Sequence, residues 1–172
     1  MKKFELTDEF IIDDFGHKLF RIKALADFGT IRAGELGGFV EKEENLSSDG
    51  NAWVYGNARV YDNAWVYGNA CVYDNARVYG NAQVYGNACV SGNADYAVVE
   101  GFGRYFRATT FFRCKDKILR VRCGCFYGDL AKFREIVKKT HGDSKYAKEY
   151  LAIADLMELH FSDEEGRQEA TE

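Results

Sequence analysis

Residues 51–98 read NAWVYG NARVYD NAWVYG NACVYD NARVYG NAQVYG NACVSG NADYAV. An Asn-Ala dipeptide returns every six residues, at Asn51, Asn57, Asn63, Asn69, Asn75, Asn81, Asn87 and Asn93. A short fixed period marks a solenoid, whose units bury their apolar faces only by stacking on one another. Within each Ala-x-Val the two apolar residues share one face of a short strand, because side chains alternate. They are Ala52, Ala58, Ala64, Ala70, Ala76, Ala82 and Ala88, with Val54, Val60, Val66, Val72, Val78, Val84 and Val90. The following Gly-Asn or Asp-Asn tolerates positive φ and suits a tight corner. The spacing excludes a five-residue repeat.

The unit resembles the hexapeptide repeat of left-handed parallel β-helices, the fold associated with bacterial acyltransferases. That resemblance implies a triangular prism with three hexads per turn. The family has a small residue after the aliphatic position; here it is Tyr. The flanking runs IRAGELGGFVEKEENLS and TTFFRCKD, with CGCFYGDLAKFREIVKKTHGDSKYAKEYLAIADL, resemble phage and prophage proteins of Gram-positive bacteria with a hexapeptide-repeat centre. This second resemblance covers nearly the whole chain. It implies a phage-encoded, cytoplasmic accessory protein and hands over no catalytic residue.

The predicted architecture is mainly β. Residues 1–32 form a β-hairpin that caps the solenoid, turning at Asp14, Phe15 and Gly16. Residues 33–96 form about three coils of left-handed β-helix, the first degenerate but keeping Leu36, Val40 and Leu46 as apolar marks. Residues 97–161 form an α+β module. Its hairpin turns at Lys115-Asp116-Lys117, with Leu119, Val121, Cys123 and Cys125 on one face and Arg120 and Arg122 on the other. Asp129 caps a first helix with Leu130, Phe133 and Val137 inward, and Gly142 stops it. Ser144 caps a second helix with Ala147, Tyr150, Leu151, Ala154, Met157 and Phe161 inward. Residues 162–172 read as a disordered acidic tail.

At 172 residues with 47% apolar content the chain can bury a core. Its net charge of −4 gives no global attraction to nucleic acid or membrane. No apolar run reaches the roughly 20 residues of a membrane span, and the N-terminus lacks a signal-peptide core. Five cysteines without a disulfide-scaffold pattern fit reduced thiols in a bacterial cytoplasm.

Coils of 18 residues place the x positions in outward columns: Trp53–Cys71–Cys89, Arg59–Arg77–Asp95 and Trp65–Gln83. The tyrosines follow as Tyr55–Tyr73, Tyr61–Tyr79 and Tyr67–Tyr85. Aromatic ladders can stabilise a coil; Trp and Tyr outside a small prism also make a binding face. Self-association is the first expectation, since related β-helices form trimers. Stacked Arg59 and Arg77 repel unless they meet carboxylates or an anionic ligand. Residues 97–122 carry seven cations, including Arg104, Arg107, Arg120 and Arg122, against Glu100 and Asp116. With interleaved aromatics they could hold single-stranded nucleic acid; a solvated hairpin face is the preferred reading.

The acyltransferase resemblance implies a histidine base near an intersubunit cleft. The three histidines, His17, His141 and His160, all lie outside the repeat. His141 beside a helix C-terminus is the residual base candidate. Cys114, Cys123, Cys125 and His141 would be a zinc set, but Cys-x-Cys on a strand lacks the tight turn of a zinc knuckle. Cys71 and Cys89 stack at about 4.8 Å and are read as adjacent thiols. No catalytic residue, cofactor or metal is expected. The binding residues are Trp53, Arg59, Trp65, Arg77, Tyr61, Tyr67, Tyr79, Arg104, Arg107, Arg120 and Arg122.

The expected function is that of an oligomeric, non-enzymatic protein that binds or blocks a host component, such as an antiviral defence factor. Alternatives are a sponge for a nucleotide-like anion between subunits and a degenerate acyltransferase.

Overall fold

The computed structural model describes residues 1–162. The expected acidic tail lies outside them apart from Ser162. The chain is mainly β, with a β-solenoid repeat at its centre and two helices after it.

Strands β1 (Phe4–Ile12) and β2 (Lys18–Ala24) form the first hairpin, and β3 (Leu36–Val40) follows. Seven two-residue strands come next: β4 (Trp53–Val54), β5 (Arg59–Val60), β6 (Trp65–Val66), β7 (Cys71–Val72), β8 (Arg77–Val78), β9 (Gln83–Val84) and β10 (Cys89–Val90). They pair in parallel as β4–β7–β10, β3–β5–β8 and β6–β9. Trp53 therefore sits over Cys71 and Cys89, Arg59 over Arg77, and Trp65 over Gln83. The 18-residue spacing of these partners matches three hexads per coil. The degenerate first coil is two residues longer, since Phe39 pairs with Arg59 and Leu46 bridges to Val66.

The valines from Val54 to Val90 are fully buried and the repeat alanines nearly so. The hexad's last position turns the corners: Gly56, Asp62, Gly68, Asp74, Gly80 and Gly86 all have φ between 56° and 71°. This is the left-handed region that glycine adopts without cost and that aspartate tolerates better than most residues. Asn51 donates to Asn69 at 3.2 Å and Asn63 to Asn81 at 3.4 Å along the outer edges.

Both ends of the ladder are closed. Each coil's N–H groups donate to carbonyls of the next, as Trp53 does to Ala70 (3.0 Å) and Arg59 to Ala76 (2.9 Å). The first full coil would thus leave carbonyls open at the top. Phe39, Glu41 and Ser47 donate their N–H groups to Ala58, Val60 and Val66. Buried Asn45 donates to Ala64 at 2.8 Å, and the ammonium of Lys3 to Ala52 at 2.8 Å. Burial pushes the Lys3 pKa down to about 8 against the attraction of Asp49. At the bottom, Gln83 N–H donates to Thr110 Oγ1 and Arg77 N–H to Asn93 Oδ1, both at 3.0 Å.

Strands β11 (Tyr96–Val99), β12 (Thr109–Arg113), β13 (Leu119–Cys123) and β14 (Phe126–Asp129) form an antiparallel meander. Helices α1 (Leu130–His141) and α2 (Lys145–His160) follow. Strand β12 is buried on both sides. Phe112 joins the solenoid core, and Phe111 joins Val121, Phe133, Val137, Tyr150 and Ala154 under the helices. Asp129 accepts from Lys132 N–H and Ser144 from Ala147 N–H, and Gly142 at φ 56° ends α1.

Leu36, Cys125, Leu151 and Ile153 depart from the sequence pattern. Leu36 is 54% exposed, because β3 enters the coil only from Gly37 onward. Cys125 leaves its strand: Cys123 pairs with Phe126, so Gly124 and Cys125 form a two-residue turn. On α2, Ile153 is buried while Leu151 is only partly covered, a rotation of the stripe toward β12.

Gly38 tests the closure at the top. A Cβ there would lie 2.6 Å from Ala58 O and 2.7 Å from Val54 Cγ1. Gly38→Ala is expected to cost about 1–3 kcal/mol in urea denaturation. Gly92→Ala, with no atom within 4 Å, should stay near wild type. Val72→Asp should yield no folded protein, since an unpaired charge in the prism has no partner; recovery of a native circular dichroism spectrum would overturn the register.

Candidate functional site

The outward columns form as the 18-residue spacing predicts, but their environments differ. Trp53, expected on an exposed face, is fully buried. The first hairpin and the loop after it close over it, with Phe28 and Phe4 rings at 5.4 and 6.4 Å in edge-to-face contact. Its indole Nε1 has no hydrogen-bond partner. Trp53 is therefore a capping residue, and the lower members of its column, Cys71 and Cys89, are partly exposed free thiols. Cys89 Sγ lies 3.1 Å from the Tyr73 hydroxyl, and this contact, with burial, pushes the Tyr73 pKa up to about 12.

The third face keeps Trp65 in the open, while Tyr67, expected on an outward binding face, is buried and Tyr85 is partly covered. Trp65, 41% exposed, stacks on Tyr67 at 3.9 Å and 11°. Tyr67 stacks on Tyr85 at 4.5 Å, and Tyr127 of β14 meets Tyr85 edge-on at 5.0 Å. The Arg122 guanidinium, delivered by β13, lies over Tyr85 at 5.1 Å and Tyr67 at 5.9 Å. Burial raises the Tyr67 pKa, partly opposed by Arg122. Spacing alone showed Trp65, Tyr67 and Tyr85. Tyr127 carried no visible signal, because only the docking of the meander brings it there.

The second face is half covered by the first hairpin, whose Leu19 packs with Phe39 and Tyr61. Tyr61 is buried and stacks on Tyr79 at 5.4 Å and 11°, while Tyr79 is 49% exposed. Arg77, Tyr79, Asn93, Phe15 and His17 line a cleft of about 350 Å³. Among the described residues neither Arg59 nor Arg77 has an ion-pair partner. Asp95, expected below them, instead accepts from Ser91 and Gly92 and faces Arg113 at 3.6 Å.

His17, which the sequence places in the hairpin alone, reaches the coil. Its Nδ1 lies 2.8 Å from Asp13 and its Nε2 3.2 Å from Asp62 at a solenoid corner. The hydrogen bond to Asp13, with the charges of Asp13, Asp62 and Glu41, raises the His17 pKa against partial burial. Burial works against ionised Asp13, but hydrogen bonds from His17 and Phe15 outweigh it and hold the Asp13 pKa down. Both imidazole nitrogens face carboxylates, so His17 forms a clamp between Asp13 and Asp62.

The remaining candidates lie apart. Arg120 forms a two-point ion pair with Asp116 at 2.8 and 2.7 Å, holding the Asp116 carboxyl at a pKa of about 2. Arg104 and Arg107 flank Tyr105 at 5.6 and 4.8 Å on the loop before β12. The cations of 97–122 thus point to several sides of the module. Cys114 is buried in the solenoid core, while Cys123, Cys125 and His141 line a pocket beside α1. Among the described residues no group of three or more Cys, His, Asp or Glu side chains is placed to hold a metal ion. His160 stacks edge-on against Phe161 at the end of α2.

Residues 52–68 and 82–94 match the family model for the YdcK beta solenoid repeat. The chain is also similar to the Uncharacterized acetyltransferase YdcK of Escherichia coli (strain K12), at 36% identity over 62 residues. The match covers 32% of this chain and 19% of that protein, so this chain spans about a fifth of that relative's length. The family-model likeness concerns a β-solenoid repeat.

The clamp makes the hairpin's attachment pH-dependent. The raised His17 pKa contributes stability fully present below the ordinary histidine value of about 6.5 and lost as pH rises through the higher folded value. The lowered Asp13 pKa contributes stability present above about 3.9 and lost as pH falls through the lower folded value. His17→Gln should therefore lower the melting temperature most near pH 5–6, and the gap to wild type should close toward about pH 9. A gap that does not vary with pH would show that no charged clamp exists.

Proposed function

We propose that this is a non-enzymatic binding protein that works through the outer faces of a left-handed β-solenoid. In this reading it is of phage or prophage type, assembles through the solenoid in the bacterial cytoplasm, and occupies a host component such as an antiviral defence factor. The observation that supports the reading is the exposed Trp65 ring stacked on buried Tyr67, with Tyr85 next in the column and the Arg122 guanidinium over the two tyrosines. Aromatic and arginine side chains concentrate the energy of protein interfaces, because they bury large areas at little entropic cost. The hexads contain no histidine. The stacked Arg59 and Arg77, without an ion-pair partner among the described residues although Asp62 lines the same cleft as Arg77, add a place where an acidic partner or a nucleotide-like anion between subunits would be held.

A second reading, acyl transfer, is favoured by the name of the Escherichia coli relative. It requires a base, and of the three histidines only His141 lines a pocket without a carboxylate clamp.

Light scattering on the purified protein is expected to give a mass above 19.5 kDa, with a trimer the favoured state. Trp65→Ser should weaken that assembly by about tenfold or more if the column is the contact, with an unchanged melting curve. A wild-type monomer at high concentration would remove self-association and leave the column for a foreign partner. Turnover of acetyl-coenzyme A that is lost in His141→Ala would replace the binding reading with the transferase one.

A further inference from the structure

The C-terminal module contains a pocket that belongs to neither the solenoid faces nor the hairpin clamp. It lies between the β13–β14 turn, α1, the start of α2 and the loop before β12, with a volume of about 220 Å³. Its interior is apolar: Phe126, Phe133, Ile136, Val137 and the Tyr150 ring. Burial, then the neighbouring Cys123, pushes the Tyr150 pKa up to about 12, so its hydroxyl stays neutral. Two guanidiniums, Arg104 and Arg107, line the same pocket and hold the Tyr105 ring between them.

Arg104 and Arg107 are exposed at the rim of the pocket, and the turn holds Arg107 close. A Cβ at Gly124 would lie 2.5 Å from Arg107 Nη1, so the missing side chain is what admits the guanidinium against the turn. Among the described residues neither Arg104 nor Arg107 has an ion-pair partner. Glu149, next to Tyr150 on α2, accepts from Gly103 N–H at 2.9 Å and faces Lys145 at 3.8 Å. Two cations without counter-charge at an apolar cavity complement a ligand with an anionic head and an apolar body.

We propose that this pocket binds a small amphiphilic carboxylate, with the head on Arg104 and Arg107 and the chain between Phe133 and Tyr150. At about 30 Å³ per water-sized group, the volume takes roughly seven or eight methylene-sized groups, the size of a medium-length straight chain.

Calorimetric titration of the full-length protein with octanoate tests the assignment. Saturable one-to-one binding is expected, with uncharged octanol binding at least tenfold more weakly. Arg107→Gln should weaken octanoate by about tenfold or more, and Ile136→Trp, which fills the cavity from its rim, should abolish binding. Circular dichroism and melting curves confirm that both variants are folded; should Ile136→Trp unfold, Ile136→Phe takes its place. Absence of saturable octanoate binding would overturn the proposal, as would equal affinity in the wild type and in folded Arg107→Gln. Binding only to anionic phosphatidylglycerol vesicles would reassign Arg104, Tyr105 and Arg107 to a membrane-surface contact.

Discussion

The structure depends on satisfying the two open edges of a ladder made of two-residue strands. No such strand is stable alone, and the hydrogen bonds it makes go only to the coils above and below. Interior coils solve this by repetition. The terminal coils cannot, so the first has carbonyls and the last has N–H groups facing outward. Lys3, Asn45, Phe39, Glu41 and Ser47 close the first edge, and Thr110 and Asn93 close the last. Unpaired groups at either end would carry a desolvation cost or recruit another chain's edge. The flanking modules are therefore part of the solenoid's stability, and neither is an appendage to it.

What could be read in the sequence is what repetition or local chemistry determines. Val and Ala burial, the left-handed corners at Gly56 to Gly86 and the helix caps Asp129, Ser144 and Gly142 each follow from neighbours within a few residues. Trp53 shows where that reasoning stops. Its hexad is identical to that of Trp65, NAWVYG in both, yet one indole is buried and the other 41% exposed. The difference lies in Phe4 and Phe28, which reach Trp53 from outside the repeat. His17 is a like case: its partner Asp62 is a corner residue, and nothing in either local sequence announces the pair.

The caps also decide which surfaces remain for binding. The top of the prism is covered by the hairpin and the bottom by β12, so the hydrophobic interior is closed at both ends. Only the sides are left, and they are unequal. One side holds Cys71 and Cys89 below a covered Trp53, and another is half shielded by Leu19 on Phe39 and Tyr61. The third presents Trp65 to solvent, with Tyr67 buried against it.

The position of Arg122 ties that third side to the C-terminal module. Arg122 belongs to β13, pairs with Tyr127 across the meander, and lies over tyrosines of the solenoid. Its Nε is buried without a partner, an arrangement tolerable only because the ring faces supply electrostatic compensation. A cation held over π faces, with part of its hydrogen-bonding capacity unused, is less completely neutralised than Arg120 in its two-point pair with Asp116. The same meander that seals the last coil places that charge, so docking of the C-terminal module both completes the fold and finishes the surface.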